Sequence, residues 1–417
     1  MKIVYLHQYF KTPDMSGGTR SYEMAKRLVA AGHEVHMVTS WTEDTDQTDW
    51  FEEDIEGIHV YWYPNSYNNT MSFSDRIKAF IKFARAASFK ASSFKDADII
   101  FATSTPLTIA IPAIFASKAL KLPMVFEVRD LWPEIPIAIG ALKNPITKTF
   151  AKQLEVFAYK NSSAIVALSP GMKEGIVKTG YPSNQVAVIP NSSDNKDFLH
   201  DKGKAKQVRD KRPWLGDSPL LVYTGTFGKI NGVSYMVDLA QELKKINSNI
   251  KILLVGGGAE KERVISKAKR SEVFEFNLFY ENQIPKREIP GLLNAATMAS
   301  ALFIDLPEMR PNSANKFFDA LASGTPVFLN YGGWMHELVN KHNCGITGWK
   351  MSIKDVAKEL HDKMNDQTWL DQAAKSARSL AETEFDRDKL ANQLISVLEL
   401  TLNNKSAQVE TVAPGKY

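Results

Sequence analysis

The densest run of chemically capable residues is Glu308-Met309-Arg310-Pro311-Asn312-Ser313-Ala314-Asn315-Lys316-Phe317-Phe318-Asp319, continued by Ala320-Leu321-Ala322-Ser323-Gly324-Thr325-Pro326. Phe317, Ala320 and Leu321 recur at helical spacing. The polar residues before them open the helix, and Gly324 with Pro326 stops it ahead of a buried strand. Lys316 and Asp319 are three residues apart and so share one face of that helix. An ammonium at a helix start, where the peptide dipole favours negative charge, suits a phosphate. A carboxylate one turn further on suits the hydroxyls of a ribose. Ser313, Ala314, Asn315, Lys316 and Asp319 are therefore candidates for a phosphate and ribose site, although spacing alone also fits a surface ion pair between Lys316 and Asp319.

Three glycine-bearing loops follow strand-like runs. Ser16-Gly17-Gly18-Thr19-Arg20 precedes Tyr22, Ala25, Leu28 and Val29 at helical spacing. Gly17 and Gly18 either let backbone N–H groups approach an anion or serve a tight turn. The second loop, Tyr223-Thr224-Gly225-Thr226-Phe227-Gly228-Lys229-Ile230-Asn231-Gly232, again runs from strand to helix, and Gly256-Gly257-Gly258 closes the strand after it. Open α/β sheets bind ligands at such carboxyl edges. Neither the dinucleotide fingerprint G-x-G-x-x-G nor a Walker loop is present, so the loops do not point to those cofactors.

The elements that must position these residues alternate through the chain. Strand-like runs fall at 3–7, 34–39, 58–63, 98–103, 124–127, 164–168 and 186–189, then at 220–224, 252–255, 273–277, 298–304, 327–330 and 345–348, with helical patterns between them. This predicts α/β architecture with parallel sheets. A polar, charged stretch from Pro190 to Pro219 separates the two sets of strands. The expected organisation is two Rossmann-like, doubly wound domains, 1–195 and 196–385, facing across a cleft. A terminal segment, 386–417, follows: Leu390, Leu394, Val397 and Leu398 make a helix that can pack back on the first domain, and the tail beyond 403 is expected to fray.

Composition narrows the class. The 417 residues are 44% hydrophobic, enough for folded cores, and 51 basic against 47 acidic residues give a net charge of +4, too small for nucleic-acid binding by bulk electrostatics. One cysteine, Cys344, excludes an intramolecular disulfide and a cysteine-rich zinc site, which fits a reducing compartment. No secretory leader is expected at the start. The longest uncharged stretch, Ile99 to Ser117, carries Pro106 and Pro112 and reads as a buried strand followed by a buried helix rather than a membrane span. His33 and His36 would point to opposite strand faces, so joint metal ligation is not expected.

With these motifs in hand, the chain resembles the retaining glycosyltransferases of family 4, with the GT-B fold, particularly bacterial enzymes of O-antigen and capsule synthesis, and is similar to N-acetylfucosamine transferases. The likeness spans nearly the whole chain. It rests on Ser16 to Arg20, on Phe126-Glu127-Val128-Arg129-Asp130-Leu131-Trp132-Pro133-Glu134, on Ser169-Pro170-Gly171-Met172, on Ile189-Pro190-Asn191, on the loop 225–232 and on Asp319-Ala320-Leu321-Ala322-Ser323-Gly324. The resemblance implies a UDP-sugar as co-substrate with no other cofactor, held mainly by the second domain. It also implies a polyprenyl-diphosphate-linked acceptor held mainly by the first, and transfer with retention.

The chain departs from the family pattern at the donor site. The usual pair of glutamates falls on Pro311 and Asp319, and the usual arginine and lysine of the glycine loop fall on Thr226 and Asn231. Negative charge develops on the leaving diphosphate and still needs a cation. The expected replacement is Lys316, with Lys229 and the helix start at Ser313 to Asn315. The donor set is thus Gly17, Gly18, Gly225, Thr226, Lys229, Asn231, Ser313, Ala314, Asn315, Lys316 and Asp319. Arg129 and Asp130 follow a strand where the family places groups near the acceptor, so they are the catalytic candidates, with Asp130 contacting the acceptor hydroxyl or capping a turn. Asp44-Thr45-Asp46 matches the D-x-D pattern of metal-dependent glycosyltransferases of another fold, but lies in a polar stretch without hydrophobic flanks, and no metal is expected.

From Arg76 to Lys95 stand six basic residues and no acidic one. Ile77, Phe80, Ile81 and Ala84 form one helical stripe, and Lys78, Lys82 and Arg85 another. Such a helix either lies on an anionic membrane or packs its apolar side in the core. The sequence-based expectation is a cytoplasmic transferase at the inner face of the plasma membrane, moving an N-acetylated hexosamine or deoxyhexosamine onto a lipid-linked saccharide of a bacterial surface polysaccharide. A nucleotide-sugar 2-epimerase of the same fold and a non-catalytic nucleotide-sugar-binding scaffold are the alternatives.

Overall fold

The computed structural model describes residues 1–15, 17–67 and 71–417; Ser16, the first residue of the Gly17-Gly18 motif, lies outside the described residues. The chain divides into two compact units. One comprises Met1–Thr12, Gly18–Pro190 and Asp388–Lys416, and the other Pro13–Gly17, Asn191–Arg387 and Tyr417.

In the first unit the strands are β1 (Lys2–Leu6), β2 (Glu34–Trp41), β3 (Phe51–Ile55), β4 (Ile58–Pro64), β5 (Ile99–Thr103), β6 (Met124–Val128), β7 (Ala164–Ala167) and β8 (Val186–Val188). They form one sheet in the order β3-β4-β2-β1-β5-β6-β7-β8, parallel except where β3 pairs with β4. Helices cover both faces, which is why β5 and β6 are apolar nearly throughout and every residue of them is buried. The expected strands fall where the alternation places them, but β3 is an addition. Its sequence, Phe-Glu-Glu-Asp-Ile, is acidic because it is an edge strand: a hairpin turns at Glu56-Gly57, and the outward carboxylates discourage further pairing.

The second unit carries β9 (Leu220–Thr226), β10 (Lys251–Gly257), β11 (Leu278–Glu281), β12 (Met298–Ala301), β13 (Val327–Leu329) and β14 (Gly345–Thr347). Their order, β11-β10-β9-β12-β13-β14, is all parallel and doubly wound. One strand moved. The run 273–277 is a turn in which Val273 O accepts from the amides of Phe276, Asn277 and Leu278, and the strand begins at Leu278, opposite Ile252. Its apolar pattern continues through Phe279 and so gave no end point. The linker candidate is also structured: Lys202–Asp210 is a helix started by the Asp201 carboxylate, which accepts from the Lys204 amide, and Val208 packs on the core of this unit.

The helix Arg387–Leu402 buries Leu390, Leu394, Val397 and Leu398, the residues whose spacing announced it. The residues after 403 depart from expectation. Val409 and Ala413 are buried, and Ala413 O accepts from the Val188 amide beside the last strand of the sheet, a docking by single apolar residues that leaves no periodicity to read. The uncharged stretch Ile99 to Ser117 resolves into β5, a short turn and α3 (Ala110–Leu120; α1 is Arg20–Ala30 and α2 Phe73–Ser92). Among the described residues no helix is long and apolar enough to cross a membrane.

One buried ion pair ties the first unit together. The Arg20 guanidinium donates to Glu127 Oε1 from Nε (3.0 Å) and Nη2 (2.8 Å), and to the carbonyls of Pro190 (2.6 Å) and Ile189 (2.9 Å). Thr103 Oγ1 donates to the other Glu127 oxygen at 2.6 Å. Burial pushes the Glu127 carboxyl up, but the Arg20 charge and hydrogen bonds outweigh it and hold it below the ordinary range. The start of α1, the ends of β5 and β6 and the exit from β8 thereby share one charge pair. Arg20→Ala, which strands the carboxylate, should lower stability by about 3–5 kcal/mol, and Arg20→Met/Glu127→Leu by less. Because the folded pKa of Glu127 is depressed, its contribution is present above the ordinary carboxylate pKa and fades as pH falls; denaturant titrations at neutral and acid pH check both statements.

Candidate functional site

In the second unit the sheet order reverses between β9 and β12, and the residues of interest gather at the carboxyl edge there. β9 ends at Gly225 and Thr226, both exposed. Gly225 has φ +135°, and a Cβ on it would lie 2.9 Å from the Lys316 Nζ. The neighbouring strand needs glycine as well, since a Cβ on Gly256 would lie 1.9 Å from the Gly225 oxygen. These two glycines let the strand ends close on one another and leave room for an ammonium against the backbone.

That ammonium comes from the helix Asn315–Ala322. Phe317, Phe318, Ala320 and Leu321 are buried, which fixes the helix rotation and turns Lys316 toward the glycine edge. Lys316 Nζ donates to the Tyr223 hydroxyl at 3.1 Å and lies 4.2 Å from the centre of the Tyr223 ring. Burial pushes its pKa down to about 7, with Asp319 opposing. Ala314, at the N-cap, has no side chain able to cap the helix. Ser313 instead meets Asn191, whose Nδ2 donates to the Ser313 carbonyl at 2.6 Å and whose amide donates to the Ser313 hydroxyl at 3.3 Å.

Asp319 and Lys316 do not pair with one another. The two Asp319 oxygens accept from the Ser193 hydroxyl and from Lys286 Nζ. Neither partner was foreseen. Ser193 lies in the polar stretch after Ile189-Pro190-Asn191, and Lys286 opens a short 3-10 turn, Lys286–Glu288, after β11. Lys229 and Asn231 occupy the turn after β9, Lys229 exposed and Asn231 half-buried, with the Asn231 amide donating to Gly228 O at 3.0 Å. Gly17 stands in the loop between β1 and α1 with φ +140°, a backbone conformation that favours glycine, and Gly18 is half-buried in the same loop.

The first unit has its own cluster at the carboxyl ends of β1, β5 and β6, again where the strand order reverses. The Arg129 amide donates to Ser104 Oγ at 3.0 Å, and its guanidinium donates to His7 Nε2 at 3.2 Å. Burial, reinforced by the Arg129 charge, holds His7 well below the ordinary histidine range, so the ring is neutral and carries its proton on Nδ1. Thr105 Oγ1 donates to Asp130 Oδ2 at 3.3 Å. Burial pushes the Asp130 carboxyl up, against the opposing pull of Arg129 and Thr105. The sequence places His7 only at the end of a strand; a polar residue closing an apolar run at a sheet edge is the signal that points to it.

Asp44 and Asp46 are exposed in the loop after β2. His36 stacks on His59 and bonds Glu34, whereas His33 meets the N-terminal amine. The basic helix, α2, is corrected in detail. Phe83, Ala84, Ala87 and Ala91 face the core, Ile77 and Phe80 are half-buried, and Ile81 stands outward beside Lys78, Lys82 and Arg85. The apolar stripe was misplaced by one residue step because α2 presents alanines to the sheet.

Comparison with known proteins decides the family. Residues 17–192 match the model of a glycosyl transferase 4-like domain, and residues 204–384 that of the glycosyl transferases group 1. The chain is a GT-B glycosyltransferase. No curated protein sequence matches it. Among solved structures, this glycosyltransferase is similar to sucrose-phosphate synthase from Thermosynechococcus elongatus, with 18% identity, TM-score 0.78 and coverage of 97% of this chain and 100% of that one. It is also similar to Anabaena HepE in complex with UDP-glucose (16% identity, TM-score 0.70, coverage 96% and 99%). A third, WaaG, is described as a glycosyltransferase involved in lipopolysaccharide biosynthesis (14% identity, TM-score 0.68, coverage 95% and 99%). At these identities the likeness concerns the fold.

An amine with a pKa near 7 is an uncommonly good nucleophile at mild pH. In pulse acetylation of the transferase at a series of pH values, read by mass spectrometry, Lys316 should label with a midpoint near 7, and a midpoint at the ordinary 10.5 would contradict the burial described here. Gly225→Ala should move the midpoint by displacing the ammonium and should lower stability by about 1–3 kcal/mol.

Proposed function

We propose that this glycosyltransferase takes an N-acetylated hexosamine or deoxyhexosamine from a UDP-sugar and adds it, with retention, to a polyprenyl-diphosphate-linked saccharide in bacterial surface-polysaccharide synthesis. It would work as a cytoplasmic protein, peripheral on the inner face of the plasma membrane. The observation that carries the donor half is the Lys316 ammonium held against Gly225 at the edge where the strand order reverses. HepE, a similar fold, has been crystallised with UDP-glucose, and WaaG acts in lipopolysaccharide biosynthesis. Both support the reading by fold analogy.

In this reading the diphosphate lies over the glycine edge, and Lys316, with Lys229 and the helix start at Ser313 to Asn315, receives the charge that develops as the bond from the sugar to the diphosphate breaks. No metal is required for that step. Thr226 and Asn231, where the family carries cations, contribute hydrogen bonds only. Asp319 accepts from the ribose hydroxyls, sharing its oxygens with Lys286 and Ser193 or displacing them. Gly17 and Gly18 add backbone donors. On the acceptor side, Asp130 accepts a hydrogen bond from the attacking hydroxyl, and Arg129, oriented by His7 and Ser104, holds the acceptor's anionic group.

The two halves separate experimentally. Lys316→Met should weaken UDP binding by about tenfold or more, the scale of a lost charged hydrogen bond, in titration calorimetry. Asp130→Asn should leave UDP binding unchanged and lower transfer to a lipid-linked acceptor on the order of 100-fold. An unchanged transfer rate in the Lys316 variant would remove the donor assignment.

A further inference from the structure

Among the described residues, seven of the eleven large apolar side chains that stand exposed belong to three helices of the first unit, so the exposure is local rather than scattered. On α2 they are Ile81 and Phe89, on α3 Ile111 and Phe115, and on the helix Pro145–Lys160 Ile146, Phe150 and Phe157. Each set repeats at three or four residues or a multiple of the helical turn and so lies on the outward face of its helix, opposite the alanines and aromatic residues that enter the core. The faces join. Phe89 meets Phe115 edge-on at 6.2 Å between ring centres, and Lys118 Nζ of α3 lies 5.6 Å from the centre of the Phe157 ring.

Cations are interleaved with these side chains. Lys78, Lys82 and Arg85 share the outward face of α2 with Ile81 and Phe89, and Lys118 and Lys152 stand exposed on the other two helices. The acidic residues of the three helices are Asp75, engaged by Ser72 and Lys78, and Glu155, buried beside the Tyr159 hydroxyl. A second copy of this face across a two-fold axis would set cations against cations. A surface that is apolar on its outside and negative just beneath suits it better. Phenylalanines enter the acyl boundary while lysine stems extend to the headgroups.

We infer that the combined outward face of α2, α3 and the helix Pro145–Lys160 docks flat on an anionic lipid bilayer. Lys78, Lys82 and Arg85 are then one margin of a larger aromatic surface rather than the whole contact. The inference rests on the proposed use of a lipid-linked acceptor and deepens it, because the cluster of His7, Arg129 and Asp130 belongs to the same unit as the docking face.

The test is co-sedimentation of the full chain with vesicles of phosphatidylcholine alone and with roughly a third phosphatidylglycerol. The wild type should bind the anionic vesicles at least tenfold more tightly. Phe89→Ser/Phe115→Ser/Phe150→Ser should lose about tenfold or more of that binding, and Phe276→Ser, at an exposed phenylalanine of the other unit, should lose none. Equal binding to both vesicles, no binding, or a triple variant that binds like the wild type would overturn the inference. So would a concentration-dependent dimer that the triple variant abolishes, since a second copy would then own the face. UDP titration without vesicles reads the donor site separately, so loss of vesicle binding with UDP binding intact strikes only the docking inference.

Discussion

One ammonium, half-buried against a glycine-edged strand, is the constraint on which the carboxyl edge of the second sheet depends. Lys316 is held by a helix whose apolar residues allow no other rotation, and its charge is held where charge is costly. The result is an amine whose pKa is pushed down to about 7. Gly225 and Gly256 follow from the same constraint, because any side chain there would fill the space the ammonium occupies or push the strand ends apart.

The first unit solves its own positioning problem with a different charge pair. Arg20 and Glu127 are both buried, and their hydrogen bonds reach the start of α1, two strand ends and the carbonyls of Ile189 and Pro190. Such a pair adds little net stability over an apolar core, but removing either member is costly, so it acts as a specification of geometry. Beside it, neutral His7 offers its lone pair to Arg129, and burial pushes the Asp130 carboxyl up against the pull of Arg129 and Thr105. Two sheets, each reversing strand order at its centre, thus present a cationic edge in one unit and a mixed Arg–Asp edge in the other.

Much of the fold was legible because parallel strands covered on both faces leave long apolar runs punctuated by glycine and proline. β3 escaped because an edge strand can be acidic, and the strand after Val273 slipped because its apolar pattern continues past the turn. The final residues escaped because Val409 and Ala413 dock singly. At the candidate sites, Lys316, Asp319, Arg129 and Asp130 stand in short runs that the sequence singles out. The partners brought in from elsewhere, Tyr223 on Lys316, Lys286 and Ser193 on Asp319, and His7 on Arg129, are not legible in this way, since a tertiary contact without a motif leaves no local trace. Arg20 and Glu127 both stand in sequence motifs, but only the fold joins them.

On the proposed donor reading, Lys316 gains a proton when a nucleoside diphosphate binds. Calorimetric titration of UDP at pH about 8, repeated in buffers of different ionisation enthalpy, measures that proton directly. A residue whose pKa lies near 7 in the free protein is largely neutral there, so the wild type should take up close to one proton per UDP and Lys316→Met none. Equal heats in every buffer for the wild type, or the same proton uptake in the variant, would contradict the account.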